Sequence, residues 1–112
     1  MMYSFTSKPE SDGIGSTVQA VKEIHEQYRL DDESYVEIVV WRLPRALAGS
    51  RHRYKYRLAY IEDGICVVRY DNEAGKGDHT HIGPRESDYE FSELENLFVD
   101  FWTSVDDWRR KA

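Results

Sequence analysis

The chain has 112 residues, a formal net charge of −6, and 40% hydrophobic, 32% charged and 13% aromatic residues. That length fits one small domain with a real but modest core, and the composition excludes disorder along the whole chain. The acidic balance disfavours a protein whose entire surface wraps nucleic acid but leaves room for a local basic patch. A single cysteine, Cys66, excludes an internal disulfide framework and a multi-cysteine zinc site.

The N-terminal stretch MMYSFTSKPESDG has no apolar signal region, and no apolar run is long enough to cross a membrane as a helix. A soluble cytoplasmic protein is the expectation. Residues 1–15, with Pro9, Gly13 and Gly15, read as a mobile arm ahead of a single α+β domain over 16–112. Ser16-Thr17-Val18-Gln19 fits a capping box, and Val18, Val21, Ile24 and Tyr28 recur at helical spacing, which predicts a helix over 16–29.

Tyr35 to Arg42 is β-branched and aromatic and reads as a strand, with Pro44 and Ala48-Gly49-Ser50 as a loop. Residues 51–60, RHRYKYRLAY, alternate: Arg51, Arg53, Lys55 and Arg57 share one face, and His52, Tyr54, Tyr56, Leu58 and Tyr60 the other. The Asp63-Gly64 turn joins this strand to 65–70 as an antiparallel hairpin. Residues 71–87, DNEAGKGDHTHIGPRES, read as a long irregular loop, followed by a short strand over 89–91. Ser92 and Glu95 form a second capping box. The stripe Leu94, Leu97, Phe98, Phe101, Trp102, Val105 and Trp108 then predicts a long amphipathic helix. This helix is expected to cover the sheet face that carries Tyr54, Tyr56 and Leu58. The fold class is α+β: an N-terminal helix, three or four antiparallel strands and a packed C-terminal helix.

Charge is segregated along the chain. Residues 38–61 contain six basic groups and no acidic one, whereas residues 86–107 contain eight acidic groups and no basic one. Like charges in a row on one strand repel unless solvent, an acidic partner or a polyanion screens them. Arg51, Arg53, Lys55, Arg57 and Arg85 are therefore candidate RNA-backbone contacts, and a plain solvated face is the simpler alternative.

The loop supplies His79, His81, Asp71 and Lys76, and the strand before it supplies Arg69. A His can act as general acid or base, and a nearby cation can stabilise a pentacovalent phosphorane. Because RNA carries its own 2′-OH nucleophile, these residue types can cleave it without a metal. His-x-His alone is an incomplete ligand set, so no metal or other cofactor is expected. Gly75-Lys76-Gly77 is too short and common to mark a nucleotide-binding loop, and Cys66, between apolar residues, reads as a core thiol.

The run Arg53-Tyr54-Lys55-Tyr56-Arg57, then Val68-Arg69-Tyr70-Asp71-Asn72, then Gly75-Lys76-Gly77-Asp78-His79-Thr80-His81-Ile82-Gly83, resembles the TumE-like toxins. These are the toxin halves of two-gene toxin–antitoxin modules. The resemblance covers about residues 50–108. It implies a cytoplasmic toxin neutralised by a cognate antitoxin with a DNA-binding helix-turn-helix, and it matches Arg69, Tyr70, Asp71, Asn72, His79 and His81. Longer relatives carry a more histidine-rich loop, which weakens the case for a metal in this chain. The leading expectation is a toxin that acts on RNA as a metal-independent endoribonuclease. The alternatives are a noncatalytic module that docks an acidic protein, or a small metal-dependent hydrolase or nucleotidyl-modifying enzyme.

Overall fold

Six strands and one helix follow one another in the computed structural model, which describes residues 20–111. The strands are β1 (Val21–Asp31), β2 (Ser34–Arg42), β3 (Tyr54–Glu62), β4 (Ile65–Glu73), β5 (Gly77–Ile82) and β6 (Arg85–Asp88), and the helix is α1 (Leu94–Lys111). The sheet order is β1-β2-β3-β4-β5-β6, antiparallel throughout, so each strand pairs only with its neighbours in sequence.

The helix expected over 16–29 is not present: residues 21–29 belong to strand β1, and its capping box lies outside the described residues, as does the expected arm over 1–15. The cause is a register shift between Lys22 and Ile24. The extra residue lets Val21, Ile24 and Tyr28 share a sheet face although they are spaced three and four apart. A bulged strand thereby imitates the helical period.

The stretch 71–87 is also regular rather than a loop. β4 runs on to Glu73, a turn at 74–76 reverses the chain, and β5 and β6 complete two more hairpins. Gly75, Gly77 and Gly83 adopt positive φ at these reversals. The sheet consequently has six strands rather than three or four, and residues 89–93 form no strand. The Asp63-Gly64 turn is as expected, with φ of 51° and 80° suited to a tight hairpin. Strand β3 begins at Tyr54, so Arg51 and Arg53 precede it.

The amphipathic stripe of α1 packs as its spacing requires. Leu97, Phe101 and Val105 are fully buried with Val36, Ile38, Val40, Tyr56, Leu58, Tyr60, Val68 and Tyr70 from β2, β3 and β4. Each such side chain contributes roughly 1.5–3 kcal/mol of transfer free energy. Polar contacts fix the helix on the sheet: Tyr70 donates to the Asp100 carbonyl at 3.2 Å, and Trp108 Nε1 donates to Glu62 Oε1 at 3.2 Å. Arg109 binds Ser34 Oγ, Tyr60 Oη and Asp31 at 2.9–3.2 Å. The expected cap differs in detail, since Ser92 Oγ accepts from Asn96 Nδ2 at 2.8 Å.

Candidate functional site

Strand alternation sends β2–β5 side chains to two faces. One face meets α1. On the other, which the only described helix leaves open, two rows of polar residues cross the sheet. In the first row Arg57 pairs with Asp71, Asp71 with His79, and His79 with Asp88. In the second, Glu37 pairs with Ala59, Ala59 with Arg69, Arg69 with His81, and His81 with Glu86. Directly paired residues bring their Cβ atoms to about 5 Å, so the side chains of each row touch or nearly touch.

Opposite charges meet between the two rows. Arg69 Nε lies 3.2 Å from Asp71 Oδ2, and Glu37 lies 4.0 Å from Arg57 and 3.6 Å from His25. Glu86 Oε2 receives Lys76 Nζ at 2.9 Å and lies 3.7 Å from His81 Nε2 and 3.9 Å from His79 Nε2. The hydrogen bond from Lys76 holds the Glu86 carboxyl below its usual range and raises the Lys76 ammonium in turn. Lys55 donates to the Asn72 carbonyl at 3.0 Å, and burial lowers its ammonium while Asp71 and Glu73 oppose that shift.

The two histidines differ in access. His79 is 2% exposed and both its ring nitrogens lack a hydrogen-bond partner, whereas the His81 side chain is 27% exposed. Asp71 Oδ1 and Arg69 Nε are also unsatisfied, the Arg69 contact being close in distance but poorly aligned. Buried polar atoms without a protein partner are rare, and four of them fall on Arg69, Asp71 and His79, three neighbouring residues of one sheet face.

His79, His81, Arg69 and Asp71 thus come together, with Lys55 and Arg57 beside them on the same face. Lys76 joins from the β4–β5 turn through Glu86. Three expected residues stand apart: Arg51 is exposed, Arg53 donates to the Pro44 carbonyl at 3.1 Å, and Arg85 pairs with Ile82 and so belongs by register to the opposite side. The sequence reading missed Glu37, His25 and Glu86. The signal for Glu37 was a lone carboxylate inside the apolar run 35–41, because an acid that is 5% exposed needs partners. Cys66 is half-buried, and burial raises its thiol above the usual range, which makes it a poor nucleophile. Among the described residues, no three His, Cys, Asp or Glu side chains are arranged to hold a metal ion.

On the helix side of the same strands a polar clasp anchors the β4–β5 hairpin. Asp78 accepts from Ser50 Oγ at 2.6 Å, from Tyr56 Oη at 2.7 Å and from His52 Nε2 at 2.7 Å. His52 Nδ1 accepts the Tyr54 amide, which places the ring proton on Nε2, and the ring stacks on Phe91 at 3.8 Å. Asn72 bridges the Tyr56 amide, at 3.0 Å, and the Tyr54 carbonyl, at 2.7 Å. Backbone closes the join: a Cβ on Gly49 would sit 2.9 Å from the Gly77 nitrogen, and Gly75 N–H bonds the Ala48 carbonyl at 2.6 Å. Asp78 and Asn72 therefore fix, from beneath, the strands that display His79 and Asp71.

The fold and this face define a small α+β protein with a charged, histidine-bearing sheet surface. The model of the family described as Toxin TumE matches residues 10–109, nearly the whole chain, and the protein belongs to that toxin family. It is accordingly a toxin of the kind found in toxin–antitoxin modules, and membership implies a cognate antitoxin partner. No curated protein and no solved structure matches it. Among the described residues no helix is long and apolar enough to cross a membrane.

Proposed function

We propose that this toxin acts on RNA as a metal-independent endoribonuclease and that the open sheet face is its active surface. In such a reaction the RNA 2′-oxygen attacks the adjacent phosphorus. A base takes the 2′ proton, the P–O5′ bond breaks, and an acid protonates the leaving oxygen. The products carry a 2′,3′-cyclic phosphate and a 5′-hydroxyl. Cations on the phosphorane lower the barrier, and a base and acid on opposite sides of it serve an in-line displacement.

The observation that carries the reading is the order of groups across the sheet: the Glu37 carboxylate on β2, Arg57 on β3, Arg69 on β4 and His81 on β5. In this assignment the two arginines hold the phosphate between a carboxylate and an imidazole. His81, the accessible histidine, exchanges a proton with the RNA. Asp71 orients Arg69, the buried His79 packs beside Asp71 on the same face, and Glu86, held by Lys76, presents its carboxylate to both histidines. Lys55 holds the neighbouring backbone, and Arg51, Arg53 and Arg85 contact RNA only outside this centre.

The test incubates the purified protein with single-stranded RNA in excess chelator and maps the ends. Cyclic phosphate and 5′-hydroxyl ends are expected, and His81→Ala should slow cleavage by roughly 10²–10⁴-fold with RNA affinity nearly unchanged. Growth arrest by a protein that leaves RNA intact, or a requirement for a metal ion or nucleotide, rejects the proposal.

A further inference from the structure

The sheet is wider than the helix that covers it. Six strands at about 4.8 Å spacing span roughly 24 Å, whereas one helix with its side chains is about 10 Å across. α1 lies nearest β4, and β1 is exposed at nine of its eleven positions. Between β1 and the flank of α1 runs a groove of about 210 Å³ lined by Ile24, Glu26, Tyr28, Ile38, Phe98 and Trp102. Its apolar residues include Tyr28, 43% exposed, in edge contact with Trp102 at 6.1 Å. Solvated aromatics in a row, rimmed by polar groups, mark an interaction surface.

The charged lining of the groove is acidic, while Arg42 and Arg109 beyond its two ends are held by Glu23 and Asp31. Glu26 lines it, and no lysine or arginine does. On α1, Glu95 and Asp106 stand one helical turn outside Phe98 and Trp102, both exposed, with Val99 between them at 57% exposure. An apolar floor with an acidic rim suits one amphipathic segment whose flank is basic. We infer that this groove receives an amphipathic helix of the cognate antitoxin, with an apolar stripe set on Ile24, Tyr28, Phe98 and Trp102 and lysines or arginines along the flank facing Glu26, Glu95 and Asp106. The inference rests on membership of the toxin family and not on the chemistry proposed for the open face. It places the partner on the opposite side of the sheet, so neutralisation does not require the antitoxin to cover the polar rows.

The experiment measures binding of the full-length toxin to the antitoxin encoded beside it, by calorimetry at two salt concentrations, alongside antitoxin rescue of toxin-induced growth arrest. Tyr28→Glu, at an already exposed position, should weaken binding about 30-fold, as loss of an aromatic anchor does, and should abolish rescue while leaving growth arrest intact. Reversing the rim with Glu95→Lys and Asp106→Lys should weaken binding about three- to tenfold and flatten its salt dependence. A photo-crosslinker at Val99 should capture a basic, apolar-striped segment of the antitoxin. Unchanged affinity in Tyr28→Glu overturns the inference. So does a crosslink to a second toxin copy or within the toxin chain, or binding lost only on substitution of Lys55 or Arg57.

Discussion

Asp78→Ala removes one carboxylate and strands three donors, one on the buried Tyr56 and two on the half-buried Ser50 and His52. Its side chain is 7% exposed and accepts from Ser50 Oγ, Tyr56 Oη and His52 Nε2. Neutral donors left unsatisfied cost about 1–3 kcal/mol each, part of which the rotatable Ser50 hydroxyl and entering water recover, so the net loss should be about 3–5 kcal/mol. A domain of this size holds only about 5–15 kcal/mol in total. Asp78→Asn separates geometry from charge. The amide oxygen can keep Tyr56 and His52 while the NH2 donates to Ser50, so the loss should fall to about 1 kcal/mol, a shift of roughly 4–8 °C in melting temperature. Urea denaturation of both variants, followed by tyrosine and tryptophan fluorescence, gives the comparison. If Asp78→Ala loses less than about 1 kcal/mol, or if the two variants lose the same amount, the three donors do not depend on the carboxylate and the clasp is misread.

Phe101→Ala empties a fully buried site between α1 and the sheet and should cost about 3–5 kcal/mol by denaturant unfolding. Gly49→Ala places a methyl 2.9 Å from the Gly77 nitrogen at φ +94°, so it should destabilise by about 2–3 kcal/mol, whereas Gly64→Ala, with open space around it, should cost only the positive φ of about 1 kcal/mol. The Lys76 hydrogen bond holds the Glu86 carboxyl below the usual glutamate range, so the stability it contributes is present above that range and is lost as pH falls through the lower folded value. The difference in melting temperature between wild type and Glu86→Gln should therefore shrink as the buffer is taken from about pH 5 to about pH 3; a difference that grows over that range contradicts the Lys76 contact.

The sequence declared those elements whose apolar period was undisturbed. In α1 the spacing from Leu94 to Trp108 survives folding, and the Tyr54, Tyr56, Leu58 alternation correctly names the face it meets. β1 was illegible because one bulge residue turns a period of two into spacings of three and four. β5 was illegible for a different reason: Asp78, His79, Thr80 and His81 are polar on both faces, so no periodicity separates a strand from a loop. Its inward side is polar because the clasp, rather than an apolar contact, seats it. The site was legible in part. His79, His81, Arg69 and Asp71 were found as residue types close in sequence. Glu37 stands out as a lone carboxylate in an apolar run, but its partners, His25 among them, enter only through strand pairing, which no local pattern encodes.

The sheet's connectivity also bears on how fast the protein forms. Because each strand pairs only with its neighbour, every ladder closes a short stretch of chain, the longest break being the segment between β2 and β3. Loop closure is then a small entropic obstacle at each step, and the sheet can zip outward from a tight hairpin such as Asp63-Gly64. Folding should consequently be quicker than for β-proteins built on crossed-over strands. Among the described residues the most distant event is the docking of α1, which joins Trp108 to Glu62 and Arg109 to Asp31, 46 and 78 residues apart. Until it happens the apolar face of the sheet stays wet. The rate-limiting barrier should therefore lie at helix docking, so that substitutions in Leu97, Phe101 or Val105 slow folding, while those in the outer hairpins chiefly speed unfolding.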